Sequence, residues 1–203
     1  MDNNFFNFLV EKNYTFISGL WFHKGEQLSI DDLMSSYRKF YKQKKKILYI
    51  DMDGVTANFM KFIYNLYPEI DFYDEDKRSK IIDEIMEKTH TRLFKELEPM
   101  DGAVNSIKEL MNYFDIYFLS TPHWNNTYSF MDKRIWVHDH FGEDIEKRLI
   151  LTHRKDLAFG DFLIDDRTKN GAGEFRGELI LFGEDKPYFK NWDIVKKYLL
   201  ERV

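Results

Sequence analysis

The sequence predicts an α/β fold, a parallel sheet with helices on both faces. Three observations lead there. From residue 47 onward, short apolar runs of strand length alternate with stretches of helical periodicity, the pattern of a parallel sheet joined by crossover helices. The runs are apolar throughout, as strands covered on both faces are. Four of them also end abruptly in polar residues, at Asp51/Asp53, Ser120/Thr121, Thr152 to Lys155, and Asp165/Asp166. In such folds ligands bind at the carboxyl ends of the strands, so those residues are the candidate site.

Taken in order, residues 1–46 predict an extra helical N-terminal segment. Phe5, Phe6, Phe8, Leu9 and Val10 form a short apolar stretch, Ser29 or Asp31 can cap a following helix, and Leu33, Tyr37, Phe40 and Tyr41 recur at helical spacing. That face packs on the main domain or on a partner. Ile47–Ile50 predicts a buried strand that runs into Asp51-Met52-Asp53-Gly54. Residues 56–67, 79–97 and 102–114 predict helices, and those of about 56–100 form a small cap inserted after the first strand. Ile116–Leu119 predicts a strand, Tyr128–Phe141 a helix stopped by Gly142, Leu149–Leu151, Phe162–Ile164 and Leu179–Phe182 three further strands, and Trp192–Leu200 a closing helix. The division is an extension over 1–46 and a core over 47–203.

Composition removes several classes. The chain has 203 residues, 43% hydrophobic and 32% charged, a globular profile. It holds no cysteine, so disulfides, thiolate nucleophiles and cysteine-ligated zinc are excluded. The net charge of −5 argues against nucleic acid as a partner. Residues 1–46 hold eight Lys/Arg against five Asp/Glu, and Lys42, Lys44, Lys45 and Lys46 read as a solvated lead-in to the first strand. No apolar run is long enough to cross a bilayer, so no membrane partner is expected. No basic leader opens the chain, which makes a cytoplasmic location the default.

The strand-end residues suggest a chemistry. Asp51 and Asp53 place two carboxylates in one small space, where like charges oppose each other unless a cation intervenes. A divalent ion would relieve the repulsion, Asp165 and Asp166 would complete its oxygen shell, and an all-oxygen shell suits Mg2+. Asp51 can then attack phosphorus to give an aspartyl-phosphate. Lys155 and a hydroxyl of Ser120 or Thr121 can neutralise and bind the phosphoryl oxygens, while Asp53 can protonate the leaving alcohol and later deprotonate water.

Asp51-Met52-Asp53-Gly54-Val55, Phe118-Leu119-Ser120-Thr121-Pro122, Lys155 and Leu163-Ile164-Asp165-Asp166-Arg167 occur in an order that resembles the haloacid-dehalogenase-like (HAD-like) phosphatases. More narrowly, Glu96-Leu97-Glu98-Pro99 with Gly102-Ala103, Lys133 with Trp136-Val137, Phe141-Gly142, and Leu151-Thr152 resemble the 5'(3')-deoxyribonucleotidases. The resemblance covers about residues 47–183. It implies a Rossmann-like HAD-like sheet and a Mg2+-dependent phosphoric monoester hydrolase. Asp51 would be the nucleophile, and Asp53 the acid/base and a metal ligand through its carbonyl. Ser120, Thr121 and Lys155 would hold phosphate with Lys133 nearby, Asp166 would bind Mg2+ with Asp165 in support, and Phe59 would line a nucleobase pocket. The resemblance admits a homodimer.

Three departures accompany it. The cap carries no Phe-Trp pair, and Phe72-Tyr73 and Phe94 are the nearest substitutes. His153 stands two before Lys155, where arginine is common in the family. Residues 1–46 have no counterpart in compact members. His123 can contact substrate, and Trp124 in the same loop can stack on a base or pack on the cap. Trp21 and Trp192 read as core anchors. The expected substrate is a (deoxy)nucleoside monophosphate. A phosphatase of another small ester and a non-catalytic binding protein of the same fold are the other two readings.

Overall fold

The computed structural model describes residues 3–43, 45–68, 80–82, 84–85 and 92–203. The chain divides into two compact units, Met1–Lys45 and Lys46–Val203.

The first unit is not purely helical. Helices α1 (Asn3–Glu11) and α2 (Ile30–Gln43) bracket a three-stranded antiparallel meander, β1 (Tyr14–Ile17), β2 (Leu20–His23) and β3 (Glu26–Leu28). Its turns explain it. Ser18-Gly19 and Lys24-Gly25 both hold two successive residues at positive φ, the backbone of the tightest hairpin turns. Tyr14-Thr15-Phe16-Ile17 supplies the aromatic and β-branched side chains that suit a strand. The expectation of an all-helical segment followed the apolar spacing and passed over these two turns. Ser29 caps α2: its hydroxyl oxygen accepts the Asp32 N–H at 3.1 Å. Phe8, Leu9 and Leu33 make a small core, with Trp21 and Tyr37 packed on it. The side chains of Phe40 and Tyr41 lie outside the description.

The second unit is built on a five-stranded parallel sheet, ordered β6-β5-β4-β7-β8. The strands are β4 (Ile47–Ile50), β5 (Asp115–Ser120), β6 (Leu149–Leu151), β7 (Phe162–Asp165) and β8 (Glu178–Leu181). One-residue alternation sorts their side chains. Leu48, Ile50, Ile116, Phe118, Phe162, Ile164 and Ile180 join the main core. There they meet α4 (Ala103–Leu110), α5 (Tyr128–Phe141) and α6 (Trp192–Leu200). Tyr49, Leu119 and Leu163 face the other way, against Ala172 of a short 3-10 turn and Phe175.

Two indole N–H groups anchor this layer. Trp192 donates to the Val55 carbonyl at 2.8 Å and Trp136 to that of Leu97 at 2.7 Å, so both buried rings are satisfied. Trp192 is thus the core anchor its position suggested, and it pins the loop that follows β4.

After β4 the chain does not enter a helix at residue 56. The Thr56 and Ala57 N–H groups both donate to the Met52 carbonyl, and Gly54 donates to Ala57, so 52–57 form a tight turn. Helix α3 (Phe59–Leu66) starts only after Asn58, whose side chain accepts the Lys61 N–H. Of the expected helix over 79–97, residues 80–82 and 84–85 are helical and Leu93–Glu96 is a 3-10 turn. Phe72, Tyr73 and Met86 lie outside the described residues. The third expected helix, 102–114, is α4 followed by a turn.

Candidate active site

Asp51 directly follows the central strand β4, so its side chain stands at the carboxyl edge of the sheet with β5 and β7 on either side. The Asp51 N–H donates to the Ile164 carbonyl at 2.9 Å, which continues the β4–β7 ladder and fixes the carboxylate beside the end of β7. The side chain is almost wholly buried, 4% exposed. A charge so placed needs a partner.

Lys155 supplies it. Its ammonium lies 3.0 Å from Asp51 Oδ1 and also donates to Asp165 at the end of β7. The lysine is held by its own backbone, whose N–H donates to the Asn170 carbonyl at 2.8 Å. Burial works to raise the Asp51 carboxyl, but Lys155 and Lys133 outweigh it and hold it below the usual carboxylate range. Burial likewise works against the Lys155 charge, and Asp51 with Asp165 overrides it. The two lysines thus favour the ionised form of Asp51.

The neighbouring carboxyls behave differently. Burial, and then the Asp51 charge, push Asp165 up to about 7. Burial also raises Asp166. Oxygen atoms of Asp51, Asp165 and Asp166 all lie within 4.8 Å of one another. An oxygen-only cluster of three carboxylates in so small a space fits a hard divalent cation.

Gly54 brings Asp166 close. Its φ is +80°, and a Cβ there would sit 2.7 Å from Asp166 Oδ2. Only glycine lets the turn after Asp53 approach that carboxylate.

Asp53 is gripped from across the fold. Lys133 of α5, fully buried, donates to Asp53 Oδ2 at 2.6 Å and to Ser120 Oγ at 3.1 Å. Asp53 Oδ1 has no hydrogen-bond partner among the described residues. One oxygen is thus fixed by Lys133 and the other has no donor on it. Ser120 is buried, and Thr121 donates its hydroxyl proton to the Thr152 carbonyl at 2.9 Å.

The Lys133 ammonium lies 4.9 Å from the centroid of Phe94, and Phe94 stacks on Phe59 at 6.1 Å with the planes 16° apart. Phe94, one of the aromatics named as a substitute in the cap, therefore joins Phe59 in a wall beside Lys133. His123 is half-buried on the loop after β5, where its carbonyl accepts from the Asn126 N–H and Ser129 Oγ. It does not line the cleft around Asp51.

That cleft is lined by Asp51, Asp53, Thr121, Lys155 and Asp165, with Arg167, Lys169 and Asn170 along one side. The last two went unremarked in the sequence, and Arg167 entered only as part of a motif. One signal was available: Asn170-Gly171 is a turn pair, and both residues have positive φ. The turn brings the Asn170 carbonyl back to Lys155.

Residues 45–193 match the family model described as 5' nucleotidase, deoxy (pyrimidine), cytosolic type C protein. A Vibrio phage KVP40 protein provisionally designated a 5'(3')-deoxyribonucleotidase is 44% identical over 158 residues, 78% of this chain and 86% of that one. The mouse mitochondrial 5'(3')-deoxyribonucleotidase is 31% identical over 138 residues, 58% of this chain and 63% of that one. Among solved structures, the protein YfnB of Bacillus subtilis, provisionally designated a HAD-hydrolase and bound to magnesium, superposes with a TM-score of 0.51 at 12% identity over 79% of this chain and all of its own. That likeness concerns the fold. With a family match spanning most of its length, the chain belongs to the 5'(3')-deoxyribonucleotidase family.

Proposed function

We propose that the protein hydrolyses (deoxy)nucleoside monophosphates through an aspartyl-phosphate formed on Asp51, with Mg2+ as cofactor. The observation that carries the reading is the pairing of an ionised, buried Asp51 with an Asp53 whose carboxylate is held by Lys133 on one oxygen only.

Asp51, Asp166 and the Asp53 carbonyl would hold the cation, with Asp165 in support. When bound, the cation offsets charge on the phosphoryl oxygens and draws them toward Asp51. The remaining work belongs to the chain. Lys155 and Lys133 meet the phosphoryl charge, and the Ser120 hydroxyl, which accepts from Lys133 and keeps its own proton, donates to the phosphoryl oxygens, with Thr121 lining the cleft beside it. As Lys133 turns to the phosphoryl oxygens, Asp53 takes up the proton of the ester monoanion; Asp51 attacks phosphorus as the ester oxygen departs, and Asp53 gives that oxygen the proton. Asp53, now ionised, takes a proton from water as the water attacks the aspartyl-phosphate, releasing phosphate and restoring Asp51. Phe59 and Phe94 offer the apolar faces for a base, and His123 stands farther along the loop as a second candidate contact. The absence of a basic field across the core agrees with a small nucleotide rather than a polymer as substrate.

The test is phosphate release from deoxynucleoside monophosphates, nucleoside monophosphates and sugar phosphates, with Mg2+ or a chelator, for the wild type and Asp51→Asn. Mg2+-dependent release that favours deoxynucleotides and is lost in the variant supports the reading. Release from sugar phosphates alone would replace the substrate class. No release from any of these esters would leave a binding protein on this fold.

A further inference from the structure

Trp124 is the outlier among the tryptophans of the second unit. Trp136 and Trp192 are 0% and 1% exposed, each with its N–H satisfied, whereas Trp124 is 75% exposed. It stands on the loop between β5 and α5, three residues beyond Thr121, and the chain between them can span at most about 10 Å. That is comparable with the reach from phosphate to base within one nucleotide.

The loop is not free to swing. Thr121 donates to the Thr152 carbonyl at 2.9 Å. The ring Nε2 of His153 lies 3.0 Å from the Pro122 carbonyl. A carbonyl only accepts, so this nitrogen carries the proton. The His153 ring then meets the Trp124 indole edge to face, 5.5 Å between centroids at 73°. On the far side the Asn126 N–H and the Ser129 hydroxyl both donate to the His123 carbonyl, and the Asn126 side chain accepts the Tyr128 N–H. The indole is thus displayed on a pinned loop, backed by the residue two before Lys155. Leaving so large an apolar face in water is unfavourable, and holding it in place beforehand lowers the ordering cost of a ligand that covers it.

We infer that Trp124 is a specificity residue that stacks on the nucleobase while Ser120 and Lys155 hold the phosphate, with His153 as its backing. This rests on the proposed nucleotide substrate and adds to it a base contact outside the Phe59–Phe94 wall. Aromatic stacking accepts any base, so the contact favours nucleotides over sugar phosphates without choosing among bases.

The experiment compares the wild type, Trp124→Phe and Trp124→Ala on thymidine 5'-monophosphate and on deoxyribose 5-phosphate, which shares its sugar and phosphate and lacks the base. Trp124→Ala should raise KM for the nucleotide roughly tenfold, within what a stacked base contributes. It should leave kcat within about twofold and leave the abasic ester unchanged, and Trp124→Phe should retain most of the affinity. Equal losses on both substrates would make Trp124 a prop of the phosphate loop and overturn the inference. So would an unchanged KM on both, with the nucleotidase reading left standing. A wild-type enzyme that hydrolyses no nucleotide would remove the reading and the inference together.

Discussion

Lys133 Nζ and Asp53 Oδ2 lie 2.6 Å apart although 80 residues separate them in sequence. The contact joins the middle of α5 to the loop after β4, and the same ammonium reaches Ser120 at the end of β5. One buried cation therefore registers three elements of the site. Lys133→Met should leave Asp53 and Ser120 without their partner. The expected loss is about 3 kcal/mol, the low end for breaking a buried ion pair because Asp53 keeps partial access to water. Urea unfolding measures it, and a loss below about 1 kcal/mol would contradict the pairing.

Asp53→Asn should lower kcat by roughly 10^2–10^4-fold, the range for removing a general acid/base, and should also lower stability, because it leaves the buried Lys133 ammonium without its counter-charge. Its effect should be smaller on an ester whose alcohol leaves readily, because such an alkoxide needs less help from a proton. Comparing p-nitrophenyl phosphate with an alkyl phosphate checks this. An equal loss on both esters would exclude Asp53 as the acid that protonates the leaving group and confine it to the hydrolysis of the shared aspartyl-phosphate or to structure.

Gly54→Ala forces a residue with a side chain to φ +80° and drives its Cβ into Asp166 Oδ2. The backbone conformation alone should cost roughly 1–3 kcal/mol. Displacing Asp166 should also weaken Mg2+, so calorimetry should record a lower affinity alongside a lower melting temperature. Normal Mg2+ affinity would exclude Asp166 as a ligand.

The acidic cluster makes a prediction about pH. In the metal-free protein Asp165 is pushed up to about 7 from an ordinary value of 3.8, and Asp166 is also raised. Between those values the native state holds more protons than the unfolded chain. Their contribution to stability is therefore present at low pH and is lost as pH rises through about 7. Mg2+ favours the ionised forms, so the melting-temperature increase it produces should grow from pH 5 to pH 8. A pH-independent increment would show that these carboxyls do not meet the ion.

The sequence by itself determined the strands of the second unit and the polar residues that end them. A strand buried on both faces leaves a local apolar run, and a catalytic end leaves a sharp polar break, so Asp51, Asp53, Ser120, Thr121, Lys155, Asp165 and Asp166 stood out without coordinates. The two hairpins of the first unit were written in Ser18-Gly19 and Lys24-Gly25, but those turns are single dipeptides, outweighed by apolar spacing that suited a helix. The tertiary structure decided which strands are neighbours. With β4 central between β5 and β7, Asp51 meets Lys155, and both meet Asp165. It also decided that Lys133 turns inward, that Phe59 finds Phe94, and that Trp124 alone among the three indoles of that unit faces water. Periodicity records which face of an element is apolar. It carries no record of which distant element will cover that face, because the covering is settled by packing among segments that are remote along the chain.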